Sequence, residues 1–238
     1  MKDRAMNIGL LQCDHVSEPF QHIIPDYPDA FRDLFARYAP HISLRVYDVC
    51  HGELPQSIDE CEGYITTGSK YSVYDDVPWI HQLADFVRLA YAHQRKFVGI
   101  CFGHQMIAHA LGGKVAKAQS GWGIGTKSVE LQQTKAWMQP ETRAYRLILS
   151  HQDQVLELPK EGEILGGNDH CPVSMFGVGE HMLGIQAHPE FTPQYAEALM
   201  DWRVERIGYD PIQAAKATLN APTDEAIIVR WIDAFFSS

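Results

Sequence analysis

Short apolar runs alternate with amphipathic stretches through the first half of the chain. Residues 7–13 (NIGLLQC) read as a buried strand, and after a polar, proline-bearing loop residues 28–38 place Phe31, Leu34, Phe35 and Tyr38 on one helical face. Residues 42–49 alternate in part, as a second strand does. A short helical turn is expected at 57–61 and a third strand at 63–66, which runs into Thr67-Gly68-Ser69-Lys70. Residues 79–93 form the next helix, with Ile80, Leu83, Phe86, Val87 and Ala90 on one side. Residues 97–100 are short, apolar and partly β-branched, a fourth buried strand. Met106, Ile107, Ala110 and Leu111 then recur at helical spacing until Gly112-Gly113 stops them. Strands alternating with helices of this length predict an α/β fold: a mostly parallel sheet covered on both faces, a three-layer sandwich.

Beyond Lys114 the rhythm changes. Shorter strands are expected around Val115 and at 125–131, 144–149, 155–158, 162–165, 173–176 and 182–187, with no helices between them. This part should extend the sheet and add an antiparallel layer. Helix returns after Pro193, where Tyr195, Ala198, Leu199 and Trp202 form a stripe, and continues at 212–219 and 225–236. These aromatic stripes read as core or as contact in a homo-oligomer rather than as a ligand box. Nothing marks an internal boundary, so 1–238 is expected to be a single domain, with 1–6 a flexible N-terminal extension and Met6 a possible start.

Composition narrows the partners. With 238 residues, 45% of them hydrophobic, the chain can bury one large core and has little room for a second catalytic domain. A formal charge of -10 argues against a nucleic-acid partner, which needs a basic face. No run is long and apolar enough for a membrane span, and the charged N-terminus lacks the apolar core of a secretory signal. Five scattered cysteines without C-x-x-C spacing suit a reducing cytoplasm, with Cys13, Cys50, Cys61 and Cys171 structural. His104 and His109 are five apart and off one helical stripe, and the other histidines form no spaced set with cysteines, so no metal is expected. No phosphate loop or dinucleotide motif appears, and no cofactor is expected.

The candidate chemistry lies where strand 97–100 turns into the following helix. Cys101 occupies that corner between Gly99 and Gly103, whose small size allows strand and helix to approach closely. A thiol there sits at the positive end of a helix, which favours the thiolate. The competing reading is a small buried core cysteine. A base is supplied late, where strand 182–187 delivers His188-Pro189-Glu190-Phe191. Glu190 by itself would read as a helix-start acid before Thr192-Pro193. Taken together, Cys101, His188 and Glu190 form a candidate Cys-His-Glu triad for acyl transfer.

The segments GICFGHQ, AHPE and ITTGSKYSVYD resemble the class I, triad-type glutamine amidotransferases. Within that family they are most similar to the glutaminase domain of GMP synthetase and to stand-alone γ-glutamyl peptidases. The resemblance implies a flavodoxin-like class I glutaminase fold with a nucleophile elbow. It also implies cleavage of the γ-amide of glutamine through a cysteine thioester, with ammonia released to a separate synthetase partner. Two alternatives stand beside it: a stand-alone γ-glutamyl peptidase using the same triad, and a catalytically silent binding or regulatory protein of the same fold. One oxyanion donor is expected at the backbone N–H of Phe102, directly after the nucleophile. The resemblance maps the other onto Ser69, where related chains carry Gly-Gly-Pro or Asn-Gly-Pro. Here serine replaces glycine and Lys70 replaces proline, which leaves a peptide freer to flip. It leaves open both whether the hole is formed before substrate binds and whether this is an ordinary surface turn. Gly68, Gln105, Gly121, Trp122 and His151 are implied as substrate contacts. Asp75 and Asp76 read as a solvated turn or as attractors for an ammonium group.

Overall fold

The computed structural model describes residues 5–238. Residues 1–4 of the expected extension lie outside the described residues, and Met6 is no part of a free arm: it opens the first strand and is buried. That strand, β1 (Met6–Gln12), lies between β2 (Ile42–Asp48) and β3 (Gly63–Thr66), all parallel. Next to β3 comes β4 (Lys96–Ile100), and next to β4 lies β11 (Met182–Ile185), again parallel. The sheet continues antiparallel through β10 (Met175–Val178), β9 (Gly162–Gly167), β6 (Gly123–Leu131) and β7 (Ala144–His151), nine strands in the order β2-β1-β3-β4-β11-β10-β9-β6-β7. The antiparallel addition thus divides in two: four strands join the main sheet, and β5 (Lys114–Lys117) with β8 (Asp153–Glu157) forms a separate pair.

Strand residues alternate between two apolar cores, as a sheet buried on both faces demands. Ile8, Leu10, Val98, Ile100 and Ile185 pack against α1 (Tyr27–Tyr38) and α7 (Glu225–Ser237). Leu11, Tyr64, Phe97 and Met182 face the opposite way, onto α2 (Pro78–Ala92) and α3 (Phe102–Ala110). At about 1.5–3 kcal/mol for each fully buried Leu, Ile or Phe side chain, these two cores dominate the stabilisation. A third cluster lies at the rim of the sheet, where Val16, Phe20 and Ile24 meet Tyr195, Leu199 and Met200 of α4 (Pro193–Trp202) and Ile212. Asp26 caps α1 by accepting from the Tyr27 N–H, and Thr192 caps α4 by accepting from the Tyr195 N–H. After α4 come α5 (Val204–Ile207) and α6 (Tyr209–Lys216).

Several boundaries differ from expectation for local reasons. Residues 57–61 make turns and no helix; Glu60 accepts from the N–H groups of Gln56 and Ser57 and so closes the loop without helical bonds. Short 3-10 segments at Glu18–Phe20 and Val49–His51, and the one-turn helix α5, carry too few residues for a periodic signal. The last parallel strand stops at Ile185, because the next residues bond elsewhere: the Gln186 N–H to Ser174 O and the His188 N–H to Ile148 O. Asp75 accepts from the Ser72 N–H and Asp76 is solvent-exposed beside His81, the turn reading of that pair. Among the described residues, no helix is long and apolar enough to cross a membrane.

Candidate active site

Three neighbouring parallel strands end at the same rim and determine what meets there. β4 ends at the turn into α3, β3 at Thr67–Lys70 on one side, and β11 at the segment leading to His188 and Glu190 on the other. Carboxyl ends of parallel strands are where such sheets gather reactive groups.

Cys101 occupies the corner with φ 50° and ψ -94°, a left-handed conformation that a side chain adopts only when its surroundings hold it there. The holding bonds are visible. The Cys101 N–H donates to Ile185 O at 2.9 Å, and its own carbonyl accepts from the Gln105 N–H at 3.1 Å. A β-carbon at Gly99 would overlap the backbone of Gly103, and one at Gly103 would overlap Thr66 Oγ1. Strand and helix therefore approach as closely as two glycines permit. The Cys101 side chain is buried and forms part of a pocket wall.

His188 stands beside it, also buried. Its Nδ1 lies 2.7 Å from Glu190 Oε1, and its ring stacks on Phe191 with centroids 3.9 Å apart. Burial works against the charged imidazolium, yet the Glu190 carboxylate and the Cys101 sulfur outweigh it and hold the histidine well above its ordinary range. With Nδ1 engaged by Glu190, Nε2 is the nitrogen left for the sulfur. Gly68 packs against the imidazole: a β-carbon there would come within 2.8 Å of His188 Cε1 and 3.7 Å of Cys101 Cβ.

The remaining expected residues divide between the pocket and its supports. A pocket of about 230 Å³ is lined by Ser69, Cys101, Phe102, Trp122, His151 and Arg203, among others. Phe102 is the first residue of α3, so its N–H has no carbonyl to bond within the helix and can serve an oxyanion. The turn bearing Ser69 is tied down rather than free. The Lys70 N–H donates to Asp14 Oδ2 at 2.9 Å, and Lys70 Nζ reaches Asp14 Oδ1 at 3.0 Å. A buried carboxylate thereby supplies the restraint that a proline would give, which corrects the expectation of a loose peptide.

Gln105 lines the pocket, and its amide nitrogen is engaged in support. Nε2 donates to Asp153 O at 2.8 Å and to Gln186 Oε1 at 3.1 Å, and Gln186 Nε2 in turn reaches Cys101 Sγ at 3.5 Å. Gly68 packs against the imidazole, and Gly121 lies in a turn at φ +78°. His151 is buried with Nδ1 directed at the Asp153 carbonyl, 3.1 Å away. Burial pushes its pKa down to about 3, against the bond to Asp153, which favours the uncharged ring with its Nδ1–H donating to that carbonyl. Trp122 lies under the Arg203 guanidinium, 5.4 Å from carbon to ring centroid.

Five contributors had no sequence signal. Gln186 reads as one more residue of a strand, and Asp14 as a loop acid. Arg203, which donates to Ser150 Oγ at 2.9 Å, sits just past the α4 stripe. Lys117 and Arg206 add further positive charge to the pocket wall, facing the single carboxylate of Asp153 there.

The chain is similar to known proteins in sequence and in fold. The family model for glutamine amidotransferase class-I matches residues 23–202. Gamma-glutamyl peptidase 2 of Arabidopsis thaliana is 31% identical over 216 residues, which is 88% of this chain and 85% of that protein. A glutamine-hydrolyzing GMP synthase of Porphyromonas gingivalis is 28% identical over 169 residues, 71% of this chain but 32% of that longer protein. Among solved structures, a glutamine amidotransferase from Thermotoga maritima superposes with a TM-score of 0.77 at 19% identity, covering 99% of this chain and 100% of that one, a likeness of fold.

Proposed function

The chain belongs to the glutamine amidotransferase class-I family, and from that premise we propose that it is a thiol-dependent hydrolase of γ-carboxamides, with Cys101, His188 and Glu190 as its triad. One observation carries the reading: His188, bonded to Glu190 at 2.7 Å, stands beside a buried cysteine fixed in a left-handed corner, with Gly68 packed against both. The Cys101 sulfur attacks the γ-carbonyl carbon of glutamine or a γ-glutamyl amide. The N–H groups of Phe102 and Ser69 hold the oxyanion that forms. His188, oriented by Glu190, protonates the departing ammonia or amine as the C–N bond breaks, leaving a thioester. It then takes a proton from water, whose oxygen attacks the thioester carbon; the C–S bond breaks, glutamate leaves and the proton returns to the Cys101 sulfur. Residues 5–238 act in this reading as one catalytic domain.

Two fates of the leaving group follow. An amidotransferase would pass ammonia to a separate synthetase subunit, as the similarity to part of a GMP synthase suggests. The second reading, a stand-alone γ-glutamyl peptidase, is favoured by the positive pocket wall of Lys117, Arg203 and Arg206, which suits a substrate with more than one carboxylate. Similarity to a γ-glutamyl peptidase over most of both lengths supports it too. Turnover of glutamine against a series of γ-glutamyl dipeptides, with Cys101→Ala as control, separates them. Ammonia release from glutamine at the higher kcat/KM supports the amidotransferase; preference for dipeptides supports the peptidase. If neither is turned over and Cys101 resists a glutamine-like electrophile, a silent binding protein is the correct reading.

A further inference from the structure

A second set of reactive side chains converges at the carboxyl ends of β1 and β2, outside the Cys101 pocket. His15, Asp48, Cys50 and His51 each offer one ligand atom, and all four atoms lie within 4.8 Å of one another. His15 Nε2 is 3.2 Å from both oxygens of Asp48 and 3.3 Å from His51 Nδ1. Cys50 Sγ is 3.3 Å from Asp48 Oδ1 and 4.0 Å from His51 Nδ1, which is itself 2.9 Å from Asp48 Oδ2. A tetrahedral site with metal–nitrogen and metal–oxygen bonds of about 2.0–2.2 Å and metal–sulfur bonds of about 2.3 Å has edges of roughly 3.3–3.6 Å. The separations above, from 2.9 to 4.0 Å, scatter around those edges, and no pair of ligand atoms is more than 4.8 Å apart.

The surroundings support the same reading. His15 Nδ1 is 2.7 Å from Asp26 Oδ2. Asp26 is itself fixed, accepting from the Val16 and Tyr27 N–H groups and from Gln12 Nε2. A carboxylate on one imidazole nitrogen sets the tautomer and turns the other nitrogen's lone pair toward a metal. Here the other nitrogen, Nε2, faces Asp48 and His51. As a purely hydrogen-bonded group, the four side chains need separate protons at the Cys50, His51 and His15 contacts to Asp48. A single divalent cation replaces all of them. Binding releases the Cys50 proton, and thiolate plus carboxylate then balance the ion's charge beside two neutral imidazoles.

We propose that His15, Asp48, Cys50 and His51 form a binding site for a divalent transition metal, zinc by its mixed nitrogen, oxygen and sulfur donors. Borderline-soft ions prefer such donors, whereas magnesium and calcium take oxygen alone. His51 is 68% exposed, which leaves the ion a way in. The site joins the loops after β1 and β2 and takes no part in the thiol chemistry. Sequence spacing hides it because His15 is separated from the other three ligands by α1 and β2. It also replaces the purely structural reading of Cys50.

The test uses the full chain, stripped by chelator under reducing conditions and titrated with Co(II). Cobalt reports thiolate ligation by a charge-transfer band and tetrahedral geometry by intense visible bands. Wild type and Cys101→Ala are both expected to bind one equivalent and show both features, and zinc should displace the cobalt. Cys50→Ser should lose the charge-transfer band. His51→Ala, at an exposed position that folding tolerates, should weaken binding by more than the roughly 10–100-fold that an outer partner is worth. Asp26→Asn should fall within that 10–100-fold range. Circular dichroism confirms that each variant is folded. Absence of stoichiometric binding overturns the proposal. So does binding that Cys101→Ala abolishes, or a spectrum that Cys50→Ser and His51→Ala both leave unchanged.

Discussion

Two groupings of cysteine, imidazole and carboxylate stand at the ends of neighbouring strands, and they are built in opposite ways. Cys101, His188 and Glu190 are each at most 5% exposed and follow one another in series, the imidazole between its two partners. His15, Asp48, Cys50 and His51 are half-buried to exposed and crowd around one point. In a buried series the imidazole can carry a proton at the sulfur end while the carboxylate orients it from the other. A convergent set shares one cation. Residue type is the same in both, so arrangement and burial decide the chemistry.

The sharpest way to break this contrast is Cys101→Ala, which should lower γ-glutamyl amide turnover by roughly 10⁴-fold or more while leaving cobalt binding intact. Turnover that survives the change would remove the series from the chemistry. Glu190→Gln keeps the shape but removes the charge, and steady-state kinetics should register a loss of roughly 10²–10⁴-fold in kcat. The same variant tests the electrostatics through stability. Because His188 is raised in the folded protein, its proton contributes stability that is complete below about pH 6.5 and lost as pH climbs through the raised folded value. Denaturant titrations across that window should show the decline in wild type and a flatter profile in Glu190→Gln. Asp14→Ala releases the Lys70 turn and should cut kcat about tenfold with KM little changed, since a misplaced donor weakens the transition state more than the bound substrate. His51→Ala should cost the metal-free protein less than about 0.5 kcal/mol, its side chain being largely solvated. Chemical denaturation in chelator measures this, and a larger loss would mean that the cluster stabilises the fold without a metal.

What could be read from the sequence follows how local each signal is. The elbow was legible because its parts are contiguous: an apolar strand, a cysteine between glycines and a helical repeat lie within residues 97–111. His188 and Glu190 were legible for a similar reason, since they directly follow a buried strand. The antiparallel half was legible as strands but not as pairings. Its order in the sheet depends on contacts such as β6 with β9 that no local pattern encodes. Asp14 and Gln186 were missed because each acts across the fold, one on Lys70 and the other on the Cys101 sulfur. The departure at Ser69-Lys70 was visible in the sequence, but its compensation, 56 residues away, was not.

Gly68 shows how an intact set of reactive side chains can fall short of an enzyme. A β-carbon there would come within 2.8 Å of the imidazole, so the ring or the turn must shift although all three reactive residues would still be present. Screening related chains for active members by their cysteine, histidine and glutamate alone would therefore count dead ones as living. The informative position is the one that contributes no functional group at all.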